Sequence, residues 1–152
     1  MPKLVKSEQL GAQTQKLIST LKVLGIVEAS LSFEIVNDDL FYLRFAGASK
    51  DVIGIKVEVM ERTIRFDSYL MPYPEVNVGP LFEYMLRVQA RLAPLRFEVG
   101  AEDAIYLVGA LATASFDDTD VSEVIAGVLT YTDELFPKVM SIGFEGRFNP
   151  RK

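Results

Sequence analysis

The stretch that most constrains this chain runs from Thr63 to Leu92, TIRFDSYLMPYPEVNVGPLFEYMLRVQARL. Its first half alternates, with Ile64, Phe66, Ser68 and Leu70 on one face and Thr63, Arg65, Asp67 and Tyr69 on the other, which is the period of a half-buried strand. Its second half carries Val78, Leu81, Phe82, Met85, Val88 and Leu92 at helical spacing. Pro72 and Pro74 can extend neither a sheet ladder nor a helix, so the period changes between them, and the helix is expected to fold back over the apolar face of the strand.

Upstream, Ser7 is a candidate N-cap for a first helix whose stripe is Leu10, Thr14, Leu17, Ile18, Leu21 and Leu24, with Gly25 as its C′ stop. The period then drops to two. Leu31, Phe33 and Ile35 alternate with Ser32 and Glu34, and the turn formers Asn37, Asp38 and Asp39 lead into a strand from Leu40 to Ala46. After Gly47 to Ser49, a third strand places Ile53, Ile55, Val57 and Val59 inward. Four strands joined by short connections predict an antiparallel meander, because parallel crossovers need longer links.

Downstream, Pro94 stops the central helix and a hairpin is expected from Leu95 to Val99 and Ile105 to Leu111, turning at Gly100 to Asp103. Asp120 and Glu123 read as an acidic capping box opening a last helix along Val121, Val124, Ile125, Val128, Thr132 and Leu135. Pro137 is expected to kink or end that helix, with Val139 to Phe144 continuing as a further turn before a frayed tail from Arg147. The predicted fold is α+β: a single domain over 1–152, an antiparallel sheet of a four-strand meander plus a hairpin, flanked by three helices in the order α-β-β-β-β-α-β-β-α.

The chemistry is defined by what is missing. The chain has no cysteine and no histidine, so disulfides, a zinc, haem or iron–sulfur site and a histidine-based nucleophilic triad lack their usual residues. No phosphate-cradling glycine motif occurs. Asp117, Asp118 and Asp120 do not match a calcium-loop spacing and suit helix capping. Neither a metal nor another cofactor is expected. Net charge is −5, and no Lys or Arg falls between Phe97 and Pro137, where nine carboxylates do; this repels a phosphate backbone and argues against nucleic acid as a partner. No apolar run approaches a membrane span and MPKLVKSEQL has no apolar leader core, so a cytoplasmic, untargeted protein is expected.

Two positions invite an interaction reading. Gln89 falls within the apolar arc of the central helix, where its amide requires a partner, supplied either by the chain itself or across a dimer interface. Ala126, Gly127 and Thr130 form a small face on the last helix, suited to close packing against another element or subunit. The candidate dimer or partner contacts are therefore Leu81, Met85, Val88 and Gln89, or else Ala126, Gly127 and Thr130. A rival reading places a small-molecule or enzyme pocket between sheet and helices, lined by Arg65, Asp67 and Tyr69.

Three runs carry a family resemblance: ERTIRFDSYLMPYPEVNVGPLFEYMLRVQARL from Glu61, FEVGAEDAIYLVG from Phe97, and TYTDELFPKVMSIGF from Thr130. Met71–Pro72, Met85 to Gln89, Asp103 to Gly109, Asp133 to Phe136 and Ile142 to Phe144 resemble the patterns of the YbjN-like family, described as bacterial sensory transduction regulators. Gln89 stands where that family often has Asn. The resemblance implies the fold of type III secretion chaperones, usually a homodimer that binds an extended stretch of another protein. With 49% hydrophobic residues and a mean hydropathy of +0.20 in a chain lacking catalytic motifs, the expectation is a non-enzymatic protein-binding module, chaperone-like or regulatory, with an unspecified protein partner.

Overall fold

A computed structural model describes residues 11–149. Ser7 and Leu10, expected at the start of the first helix, and the tail beyond residue 149 lie outside the described residues. The elements are α1 (Ala12–Val23), α2 (Ile26–Ala29), β1 (Ser32–Asn37), β2 (Leu40–Ala46), β3 (Val52–Val59), β4 (Thr63–Met71), α3 (Val78–Gln89), β5 (Leu95–Val99), β6 (Ile105–Ala112) and α4 (Asp118–Gly143). The one helix not expected is the single turn α2. It exists because Gly25 adopts φ +76°, ending α1 and starting a second turn that puts Ile26 and Val27 against the core.

The six strands form one antiparallel sheet in the order β1-β2-β3-β4-β6-β5. The meander is as its alternation predicts, and Ile64, Phe66, Ser68 and Leu70 are all buried. The hairpin joins it through β6, with Phe66 opposite Gly109 and Asp67 opposite Val108. A bulge between Tyr69 and Met71 adds one residue to β4, so Leu70 and Met71 are buried in succession and the chain leaves the sheet into the proline turn. Gly109, opposite Phe66, is closely packed: a Cβ would lie 2.9 Å from Leu95 Cδ2 and 3.0 Å from Val124 Cγ1, so those side-chain ends would have to shift.

The helix over β4 is α4, not α3. With 26 residues and eight of them buried, α4 packs on β4, β6 and β5, whereas α3 buries only Leu81 and Met85 and packs against α4 and β5. The proline turn is responsible. The amides of Glu75 and Val76 donate to Gly143 O at 2.9 and 3.1 Å, and Asn77, at φ +56°, donates its side-chain amide to Ile142 O at 2.8 Å. The turn is thus fastened to the end of α4, which directs α3 to the side of the sheet.

Pro137 neither ends nor divides α4. A proline has no N–H for the carbonyl four residues earlier, here that of Asp133. Ser49 Oγ takes that place, donating to Asp133 O at 2.8 Å, while Asp133 Oδ1 accepts the amides of Ala48 and Ser49 at 2.8 and 2.9 Å. The β2–β3 loop and the helix interior therefore satisfy each other. At the other end, the capping box lies one turn before the expected one: Asp117 Oδ1 accepts Asp120 N–H at 2.9 Å and Asp120 Oδ2 accepts Asp117 N–H at 3.1 Å. Phe116, buried just before the cap, seats the helix start on the core.

Candidate functional site

Three surfaces gather the residues singled out by the sequence. The first is a groove of about 240 Å³ between α3 and the β5–β6 end of the sheet, lined by Phe82, Met85, Leu86, Gln89, Phe97 and Val99, among others. Met85 is its buried floor; Leu86 and Val99, 69% and 50% exposed, are its apolar lips. Leu81, expected at the contact, is fully buried in the core and is not part of this surface. Val88 is half-buried. Leu86 escaped the sequence reading because it falls on the charged side of the helix, beside the Glu83–Arg87 pair.

Gln89 has its partner within the chain. Its Oε1 accepts Phe97 N–H at 2.8 Å, and Leu95 N–H donates to Leu92 O at 2.8 Å. β5 is an edge strand, and two of its amides are thereby occupied by the molecule itself. At the opposite edge lies β1, where Phe33 and Ile35 are half-buried and Leu31 is 62% exposed.

The second surface is the small face of α4. Ala126 and Thr130 are exposed and, with Gly127, Ala93, Pro94 and Tyr131, border a shallow depression. Internal packing accounts for the glycine, since a Cβ at Gly127 would meet Leu95 Cδ1 at 3.2 Å.

The third surface holds Arg65, Asp67 and Tyr69, and its location corrects the expectation of a pocket between sheet and helices. These side chains alternate with Ile64, Phe66 and Ser68, which face the helices, so they lie on the outer face of the sheet. Arg65 Nε donates to Asp67 Oδ1 at 2.8 Å, and its Nη2 donates to Glu98. Lys56 stands 3.8 Å from Asp67, and Arg96 3.6 Å from Glu98. Burial works against the Arg65 charge, but the hydrogen bond to Glu98 and the two carboxylates outweigh it and raise its pKa. Tyr106 donates to Glu102 at 2.7 Å; that bond, with burial, pushes its phenol up to about 12. Tyr69 packs edge-on against Tyr106 at 5.7 Å between centroids, and burial raises its pKa as well. The arrangement is a lattice of ion pairs whose members satisfy one another, which suits holding strands in register.

Comparison with known structures places this architecture. One match, with a TM-score of 0.58 and 17% identity, covers 78% of this chain and 93% of a chain in the heterodimeric ExoU–SpcU complex of the Pseudomonas aeruginosa type III secretion system. A second, with a TM-score of 0.59 and 10% identity, covers 83% of this chain and 95% of a chain in the ExsC–ExsE complex. The fold is that of the type III secretion chaperones. In sequence, the chain is similar to an uncharacterized protein of Mycobacterium tuberculosis (strain ATCC 25618 / H37Rv), 28% identical over 98 residues, 64% of this chain and 54% of that one. An uncharacterized protein of Mycobacterium leprae (strain TN) is 22% identical over 119 residues, 69% of this chain and 65% of that one. The chain thus spans about half the length of the first of these curated relatives and about two thirds of the second. No protein-family model matches the chain. Among the described residues, no helix is long and apolar enough to cross a membrane.

Proposed function

We propose that this chain is a non-enzymatic, chaperone-like protein-binding module of the YbjN-like kind, homodimeric through the α3–β5 groove, that holds an extended segment of a partner protein. The observation that carries this reading is the groove itself: an open apolar surface with Leu86 and Val99 as its lips. Apolar lips left to water are characteristic of interaction sites. A twofold pairing of α3 helices brings the same patch from each copy together, with Glu83 and Arg87 at its rim. The partner segment adds to the sheet at β1, because at β5 Gln89 Oε1 and Leu92 O already occupy the amides of Phe97 and Leu95. Protein-partner complexes in both structural neighbours support the same reading.

Light scattering on the purified chain tests it. The expected mass is twice 17.0 kDa. Leu86→Glu places a charge at the groove lip without touching the core and is expected to give a folded monomer, whereas Met85→Glu would bury a charge at a site only 4% exposed and confound folding with assembly. A wild-type monomer at high protein concentration, or an undisturbed Leu86→Glu dimer, overturns the dimer through this groove.

A further inference from the structure

The edge strand β1 differs in chemistry between its two faces. Phe33 and Ile35 are half-buried against the core, with Phe33 edge-on to the buried Phe41 at 5.6 Å between centroids. Leu31, whose N–H donates to Arg44 O, precedes them at the same spacing and is exposed. Ser32 and Glu34 alternate with this apolar row and are exposed on the other face. A bulge between Ile35 and Asn37 interrupts the ladder, so regular pairing along this edge is confined to Leu31 to Ile35.

The charge along the edge has one sign. No Lys or Arg falls between Val23 and Leu43, where Glu28, Glu34, Asp38 and Asp39 do, and all four are exposed. Among the described residues, none of these carboxylates has an ion-pair partner. Arg44, opposite Ser32 in the β1–β2 ladder, donates to Ser32 Oγ at 3.5 Å and stands 5.8 Å from the Tyr42 ring centroid, leaving Glu34 unpaired.

We propose that the segment accepted at β1 is one in which apolar residues alternate with Lys or Arg. The apolar side chains continue the Leu31, Phe33 and Ile35 row, and the basic ones lie on the face of Glu34, between its flanking carboxylates. This rests on the reading of β1 as the accepting edge and names the chemistry that the edge selects. Opposite charges across neighbouring strands stabilise the pair and like charges destabilise it, so exchanging one for the other beside Glu34 changes affinity about five-fold. The same rule disfavours a second copy of this chain, since pairing two β1 edges would bring the same four unpaired carboxylates together.

The test titrates the full chain with three capped heptapeptides, KVKVKVK, EVEVEVE and KKVVVKK, and follows backbone amide resonances by NMR. KVKVKVK is expected to move the resonances of 32–37 and to bind about five-fold more tightly than EVEVEVE, a preference that narrows in 1 M salt, where charges more than about 3 Å apart are screened. Glu34→Lys, at an exposed position, is expected to weaken KVKVKVK about five-fold. Equal binding of KVKVKVK and EVEVEVE at β1, equal binding of KVKVKVK and KKVVVKK, or an unchanged affinity in Glu34→Lys overturns the proposal and leaves β1 as the accepting edge. Shifts confined to the carboxylates of α4, or no shift with any peptide, overturn the accepting edge as well. Resonances of 32–37 that move with protein concentration in the absence of peptide would place a second copy on this edge and overturn the basic segment as its occupant.

Discussion

The exchange between Pro137 and Ser49 makes a quantitative prediction about a helix that should not be continuous. Asp133 O has lost its helical donor and accepts Ser49 Oγ at 2.8 Å instead. In Ser49→Ala that carbonyl has neither; an orphaned acceptor at a half-buried site costs about 1 kcal/mol, the low end of the usual range. Pro137→Ala restores an N–H to the helix, so the Asp133 carbonyl is satisfied whether or not residue 49 carries a hydroxyl. The cost of Ser49→Ala in that background is then expected to fall to a few tenths of a kcal/mol. The coupling is about 0.7 kcal/mol, above the scatter expected of independent sites. Urea unfolding of the four proteins, wild type, each single variant and the double, measures it. Equal costs of Ser49→Ala in both backgrounds would mean that the hydroxyl does not stand in for the missing helical donor, and the account of α4's continuity would fail.

Two further predictions concern packing and ionisation. Gly143→Val directs a side chain at Pro74 Cβ and Met71 Cε, which a Cβ already meets at 2.9 and 3.0 Å; the overpacking is expected to cost about 2 kcal/mol, a fall of about 4–8 °C in Tm, and an unchanged melt would refute the close approach. Tyr106 is expected to ionise near pH 12 in a spectrophotometric titration of the folded protein, and Glu102→Gln to bring it down. Because its folded pKa lies above the ordinary value of 10.0, the native state keeps a proton that the unfolded chain releases; its contribution to stability is complete below pH 10 and disappears as pH rises through about 12.

Local patterning made much of the sheet legible. The alternation in β4 assigned Ile64, Phe66, Ser68 and Leu70 to the buried side, and the short turns required a meander. The features that escaped depend on contacts distant in sequence. Nothing near Pro137 announces that Ser49, more than eighty residues earlier, will supply its missing donor. Nothing near Gln89 says that its amide oxygen will reach Phe97 N–H, although the apolar arc did signal that it needed a partner. The roofing of β4 by α4 follows from the anchoring of the proline turn to Gly143 O, a tertiary bond that no helical period encodes. In the candidate site, Met85 and Gln89 were readable from helical spacing; Leu86 was not, because charged neighbours disguise it as a solvated position. Arg65, Asp67 and Tyr69 were placed correctly on one face, but spacing alone does not say which face the helices cover.

The anchors of α4 have an order in time. Asp133 receives the amides of Ala48 and Ser49, and Gly143 O those of Glu75 and Val76, so the two earlier segments reach their final positions only when the closing helix arrives. On a ribosome, β4, β5 and β6 are made before the helix that packs on them, and Ile64, Phe66 and Leu107 await their shelter. A sheet whose covering helix is made after its strands spends that interval of synthesis with its apolar face open to water, which is when such a chain is most prone to aggregate.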